Sequence, residues 1–360
     1  MVNKRLIRSG GSHILRKGVS IFGMSEEDVL RLSKVHSAVN WNKKHDEYTQ
    51  EIWNTNLKQM WQDTEFTPSK DKKSWNKLSK EMKEAYKKVL GGLTLLDTKQ
   101  ANVGMPRLAE FILDLQRRAV LSFQGMMEHI HAKSYSTIFV TILSNKEIDD
   151  LYEWIDGNPF LQTKADIITK YYDNIHDKRS LYMALVASVF LESFLFYSGF
   201  FLPLWLSGQG KMVASGEIIK KIVQDESVHG GYCGMLAQEL FEELTEEEQV
   251  SVKDETYELL NKLMENEKKY TDYIYAPIGL ESEVKRYVKF NANNALNNLG
   301  YDTYYQNIGE VNAIVLNGLN TESENNDQFS TKGKSYVVAV VEPLQDKDFD
   351  FSQRKSLLTV

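Results

Sequence analysis

The chain has 360 residues, 42% of them apolar, enough for one large domain or two ordinary ones around a substantial core. A formal net charge of −7 and a pI near 5.7, with no dominant basic face, exclude nucleic-acid binding as the main activity. Cys233 is the only cysteine, so no intramolecular disulfide is possible; the basic residues Lys4, Arg5 and Arg8 precede no adequate apolar run, and a reducing, cytoplasmic setting is expected.

Residues 1–36 read as an N-terminal extension, broken at Gly10-Gly11, with a helix start at Ser25 before Glu26, Glu27 and Asp28 and a second possible initiation point at Met24. Residues 37–318 read as one helical domain. Helical periodicity predicts helices over 77–103, 107–143, 179–206, 214–241 and 245–273, with shorter helices between them. Pro106, Pro159, Pro203 and Pro277 are expected at helix ends or kinks. Strand-like alternation is scarce, and no glycine-rich phosphate loop or clear internal repeat is found. Between Ser180 and Gly210 the one charged residue is Glu192, and this run is long enough to span a bilayer. A helix buried on all sides of a bundle is the better reading, since a lone glutamate facing lipid would be costly; no membrane association is expected. Residues 319–360 turn polar from Thr321 and read as a flexible C-terminal tail, with an apolar patch over Tyr336-Val337-Val338-Ala339-Val340-Val341.

The chemistry lies in two Glu-x-x-His pairs about a hundred residues apart, Glu128/His131 and Glu226/His229. Residues three apart share a helix face, so each pair can aim a carboxylate and an imidazole at one point. Asp97 precedes the first pair and Glu192 the second at similar spacing, as in two helix hairpins built alike. Both sit in apolar surroundings, where a carboxylate is expensive unless paired or metal-bound. Together these residues make a six-ligand set for two metal ions, the known ligand logic of ferritin-like four-helix bundles. The predicted fold is therefore all-α: a ferritin-like four-helix core with additional helices. Four carboxylates and two imidazoles suit iron or manganese, and the lack of thiolates argues against structural zinc. Tyr135 comes one turn after His131 on the same face, a candidate one-electron donor. Phe196, Phe200 and Ile222 lie one or two turns from Glu192 and Glu226, where they could wall the site from water.

The segments Leu95-Leu96-Asp97-Thr98, Glu128-His129-Ile130-His131-Ala132-Lys133-Ser134-Tyr135, Leu191-Glu192-Ser193-Phe194-Leu195-Phe196-Tyr197 and Asp225-Glu226-Ser227-Val228-His229-Gly230 resemble the small, radical-generating subunit of class I ribonucleotide reductase, with wording most like its class Ib branch. The resemblance runs over about residues 39–345 in order and spacing. It implies that Asp97, Glu128 and His131 hold one metal and Glu192, Glu226 and His229 the other, with Glu128 and Glu226 bridging. It implies a tyrosyl radical on Tyr135, a relay through Asp225, Trp61 and Tyr336 to a large catalytic subunit, and a polar access channel at Ser193. A homodimer, a dimanganese or diiron cofactor and a flavodoxin-like activator for the manganese form are also implied. Asp346-Lys347-Asp348-Phe349-Asp350-Phe351 looks like the family's docking stretch for the large subunit, although nine residues follow it. The competing reading is a ferritin-like dimetal oxidase or oxygenase acting directly on a small substrate. It would need the six ligands but not Trp61, Tyr336 or the tail.

Overall fold

The computed structural model describes residues 37–43 and 46–319, and among these no strand is present. The predicted helix start at Ser25, Tyr336 and the tail expected over 319–360 lie outside the described residues, apart from Leu319 at the end of the last helix. The helices run α1 Glu47–Gln59, α2 Lys72–Lys77, α3 Lys80–Lys99, α4 Met105–Phe111, α5 Leu115–Ile142, α6 Asn145–Gly157, α7 Pro159–Asp173, α8 Lys178–Phe190, α9 Tyr197–Ser207, α10 Val213–Glu242, α11 Glu246–Tyr275, α12 Glu281–Asn298 and α13 Ala313–Leu319. Two π-helical turns, Gln100–Gly104 and Leu191–Leu195, join α3 to α4 and α8 to α9.

The helix starts follow local chemistry. Ser79 accepts from the Met82 amide, Asp177 from Ser180, and Thr245 with Glu248 forms a reciprocal capping box. The stretch expected as one helix over 107–143 is two. Ile112 leaves helical geometry, and Asp114 then caps α5 by accepting from the Arg117 amide; a strong local cap outcompetes the continuous apolar pattern. Pro159 sits at the first position of α7, Pro277 in the turn after α11, and Pro203 inside α9.

α10 has no cap of its own, because Met212 enters it in the left-handed region with φ 51°. The cap comes from a distance: buried Asp71 accepts from the Ala214 amide at 3.1 Å and from the Ser215 amide and hydroxyl at 2.7 Å each. Asp71→Ala should therefore destabilise the protein by about 1–3 kcal/mol, measured by chemical denaturation, because three buried donors lose their acceptor.

Two helix hairpins form the core. α3 packs on α5 and α8 on α10, and the hairpins meet through α5 against α10 and α3 against α9. Among the described residues, the apolar stretch Lys178–Ser207 is the one helix that length and composition alone could place in a membrane; every residue of its most apolar window is buried. Burying a large apolar side chain is worth about 1.5–3 kcal/mol. A segment apolar on all faces gains most when surrounded on all sides, and α3, α7, α10, α11 and α12 border this core region. Its one carboxylate, Glu192, sits on the π turn, where the helix widens and redirects its side chains.

Candidate metal centre

α5 and α10 run antiparallel, which brings the two Glu-x-x-His pairs face to face. His229 Nδ1 lies 2.7 Å from Glu128 Oε1, and His131 Nδ1 lies 3.0 Å from Glu226 Oε1. His131 Nδ1 is also 3.5 Å from Asp97 Oδ1 and 3.6 Å from Glu128 Oε2. All six predicted ligand residues are buried. Their donor atoms fall into two overlapping groups, Asp97/Glu128/His131/Glu226 and Glu128/Glu192/Glu226/His229, each within a 4.8 Å span. Glu128 and Glu226 belong to both groups.

Several of these atoms have no hydrogen-bond partner: both oxygens of Asp97 and of Glu226, Glu128 Oε2, Glu192 Oε2 and His131 Nδ1. Buried polar groups without partners are costly and rare in native proteins, and here they converge. Two divalent cations would satisfy them and would balance the four carboxylates in charge. The residues therefore fit a dinuclear metal centre.

The electrostatics carry the same message. Burial first, and then the neighbouring Glu128 charge, pushes Glu192 and Glu226 well above the usual carboxylate range. Burial raises Asp97 to about 8 against the opposing pull of His131. Glu128 goes the other way, to about 2: burial opposes this, but the adjacent His131 and His229 imidazoles outweigh it. His131 is raised although burial alone would lower it, because Asp225, Asp97, Glu128 and Glu226 surround it.

The outer face of His131 is equally defined. Its Nε2 is 2.9 Å from Asp225 Oδ2, and the same oxygen accepts from the Trp61 indole at 2.7 Å. The Nε2–H tautomer follows from this carboxylate and leaves Nδ1 facing the cluster. Trp61, just past α1, stacks on His131 with ring centroids 5.9 Å apart. A continuous side-chain path thus runs from the metal cluster through His131 and Asp225 to Trp61.

Tyr135 is fully buried one turn from His131, and its hydroxyl makes no hydrogen bond. Burial, followed by the charges of Asp97, Glu226 and Glu128, holds it well above the ordinary phenol range, so the neutral phenol is the resident form. Phe196, Phe200 and Ile222 are fully buried. Ser193 stays outside the ligand groups: its hydroxyl accepts from Asn298 at 3.1 Å and abuts Gly230, the residue after His229.

Sequence reasoning missed Gln100 and Tyr172. Gln100 Nε2 donates to Glu192 Oε1 and, at 2.8 Å, to the Ser188 hydroxyl; its Oε1 accepts from Tyr172 at 2.7 Å. A signal was present for Gln100, three residues after Asp97 on the same face. Tyr172 comes from α7, and nothing local marks it.

Comparison with known proteins follows the same residues. The family described as ribonucleotide reductase, small chain, matches residues 38–313. The ribonucleoside-diphosphate reductase subunit beta of Bacillus subtilis (strain 168) is 48% identical over 327 residues, covering 90% of this chain and 99% of that protein. The Escherichia coli (strain K12) ribonucleoside-diphosphate reductase 2 subunit beta is 39% identical over 326 residues, covering 89% of this chain and all of that one. Among solved structures, dimanganese(II)-NrdF of Streptococcus sanguinis superposes with a TM-score of 0.76 at 43% identity, over 79% of this chain and 100% of that one. The R2 subunit of Clostridium botulinum does so with a TM-score of 0.71 at 26% identity, over 78% and 90%. With a buried dinuclear ligand set, a helical bundle around it and these matches along nearly its whole helical region, the chain belongs to the ribonucleotide reductase small-chain family.

Proposed function

We propose that this chain is the radical-generating subunit of a class Ib ribonucleoside-diphosphate reductase, storing an oxidising equivalent on Tyr135 for a large catalytic subunit that reduces ribonucleotides to deoxyribonucleotides. The observation that carries this reading is a six-residue metal cluster whose His131 connects outward through Asp225 to Trp61, with an unpaired buried phenol one turn away. Asp97, Glu128 and His131 would hold one ion and Glu192, Glu226 and His229 the other, with Glu128 and Glu226 bridging. A metal pair held there, once oxidised by dioxygen or an oxidant derived from it, would supply the oxidising equivalent for one-electron oxidation of Tyr135.

The protein's own residues account for the rest. Tyr135 is neutral, so losing an electron also releases its phenolic proton. Asp97 is the carboxylate whose charge bears most on that hydroxyl. Burial keeps water and reductants away from the resulting radical. Asp225 accepts from both His131 and Trp61, so charge moving along this line stays coupled to two hydrogen bonds. A direct-acting oxidase would have no use for that line, and the family match also favours the subunit reading.

Manganese and iron both suit this ligand set. Manganese, delivered with a flavodoxin-like activator, is the form we propose, by similarity to the dimanganese(II) protein of S. sanguinis. The working assembly would be a cytoplasmic homodimer docked on the large subunit, with Tyr336 continuing the relay and Ser193 bordering the oxidant's approach.

Electron paramagnetic resonance on metal-free protein, reloaded with iron(II) and oxygen or with manganese and the activator, tests the reading; a tyrosyl signal is the expected result. Metal oxidation without any radical in both preparations would move the assignment to an oxidase. Tyr336→Phe should form the radical normally yet give no turnover with the large subunit. Normal turnover would remove Tyr336 from the relay.

A further inference from the structure

Among the four ligand carboxylates, Glu192 is the one held by hydrogen bonds from side chains outside the ligand set. Gln100 opens the first π turn and Glu192 lies in the second, and the two turns meet through the Gln100 amide. Its orientation is forced. The Tyr172 hydroxyl donates to Oε1, so the NH2 group must face Glu192 Oε1 and the Ser188 oxygen; a flipped amide would set oxygen against carboxylate. Ser188 also reaches Glu192 Oε1, at 3.4 Å. All four side chains are buried.

Gly104, the last residue of the same π turn, makes the room. A Cβ there would run into the Gln100 amide oxygen and come within 2.9 Å of Tyr172 Cε2. Thus Tyr172, Ser188 and Gly104 together fix one rotamer and one amide orientation of Gln100. One carboxylate oxygen of Glu192 is occupied by protein donors, and Oε2 is left unpaired. Asp97 and Glu226, in contrast, have both oxygens without hydrogen-bond partners.

We propose that Gln100 is a positioning residue that holds Glu192 in a one-oxygen binding mode, and that it thereby sets the affinity of the Glu192/His229 metal position independently of the Asp97/His131 position. This rests on the dinuclear reading above. The physical basis is that a partner fixing a ligand's orientation lowers the cost of binding at that ion alone, typically by 10–100-fold in metal affinity.

The test is a manganese(II) titration of metal-free protein, counting free aqueous manganese by electron paramagnetic resonance, in wild type, Gln100→Leu and Tyr172→Phe. Wild type should take up two ions and show an exchange-coupled pair. Gln100→Leu should keep the first ion and bind the second about 10–100-fold more weakly, with an uncoupled manganese signal at one equivalent. Tyr172→Phe keeps the ring and removes only the lock on the amide, so it should weaken the second ion less, and it carries the test if Gln100→Leu does not fold. An unchanged two-ion isotherm in the variants would overturn the proposal. So would equal weakening of both ions together with a lower unfolding temperature of the metal-free variant, which is the pattern of a general packing defect. A wild type that binds no pair of ions would overturn the dinuclear reading itself, a distinct outcome.

Discussion

Tyr135→Phe should eliminate the tyrosyl radical and turnover with the large subunit, while leaving two-ion binding and the fold intact. The change removes one oxygen atom and nothing else. That oxygen is buried without a hydrogen-bond partner, and burying an unpaired hydroxyl costs about 1–3 kcal/mol. Metal-free Tyr135→Phe should accordingly be as stable as wild type or more so, which thermal unfolding will show. A loss of activity together with retained or increased stability separates a chemical role from a packing role. A radical that persists in Tyr135→Phe, with an unchanged spectrum, would place it on another of the buried tyrosines and sink the assignment.

The second large effect belongs to Asp225. Its Oδ2 receives both the Trp61 indole and His131 Nε2, so Asp225→Ala strands two buried donors at about 1–3 kcal/mol each. It also removes the carboxylate that orients a metal-facing histidine, a change worth 10–100-fold in metal affinity, here expected at the His131 position. Trp61→Phe is the complementary variant. It removes one donor and the indole but leaves the His131–Asp225 contact, so metal binding and the Tyr135 radical should survive while turnover falls to background. Measuring radical content and turnover on the same samples distinguishes the two. Full turnover in radical-bearing Trp61→Phe would break the proposed relay at its middle.

The Asp225 and Gln100 effects should also be separable from one another. Asp225 acts on His131 from outside the cluster, and Gln100 acts on Glu192 from the opposite hairpin. In the proposed centre the two metal positions would share Glu128 and Glu226, so loss at one position should be felt at the other only through those two residues.

Much of this protein was legible in the order of its residues. Helical periodicity, the three-residue spacing of Glu128/His131 and Glu226/His229, and the lone carboxylates Asp97 and Glu192 in apolar runs follow from local geometry and from the cost of burying charge. Those relations hold whatever the helices pack against, so the helical class and the candidate ligand set could be written down first. The break before Asp114 was missed because a side-chain cap competes with an apolar pattern that continues through it. Tertiary structure alone decided the rest. The antiparallel pairing of α5 and α10 sets Glu128 against His229, and Glu226 against His131. The fold brings Asp71 to the unprotected start of α10, and it brings Tyr172 from α7 to Gln100, seventy-two residues away. Hydrogen bonds over such separations leave no periodic trace in a sequence. They depend on how whole helices are laid against one another, which burial of every face of the Lys178–Ser207 helix does much to determine.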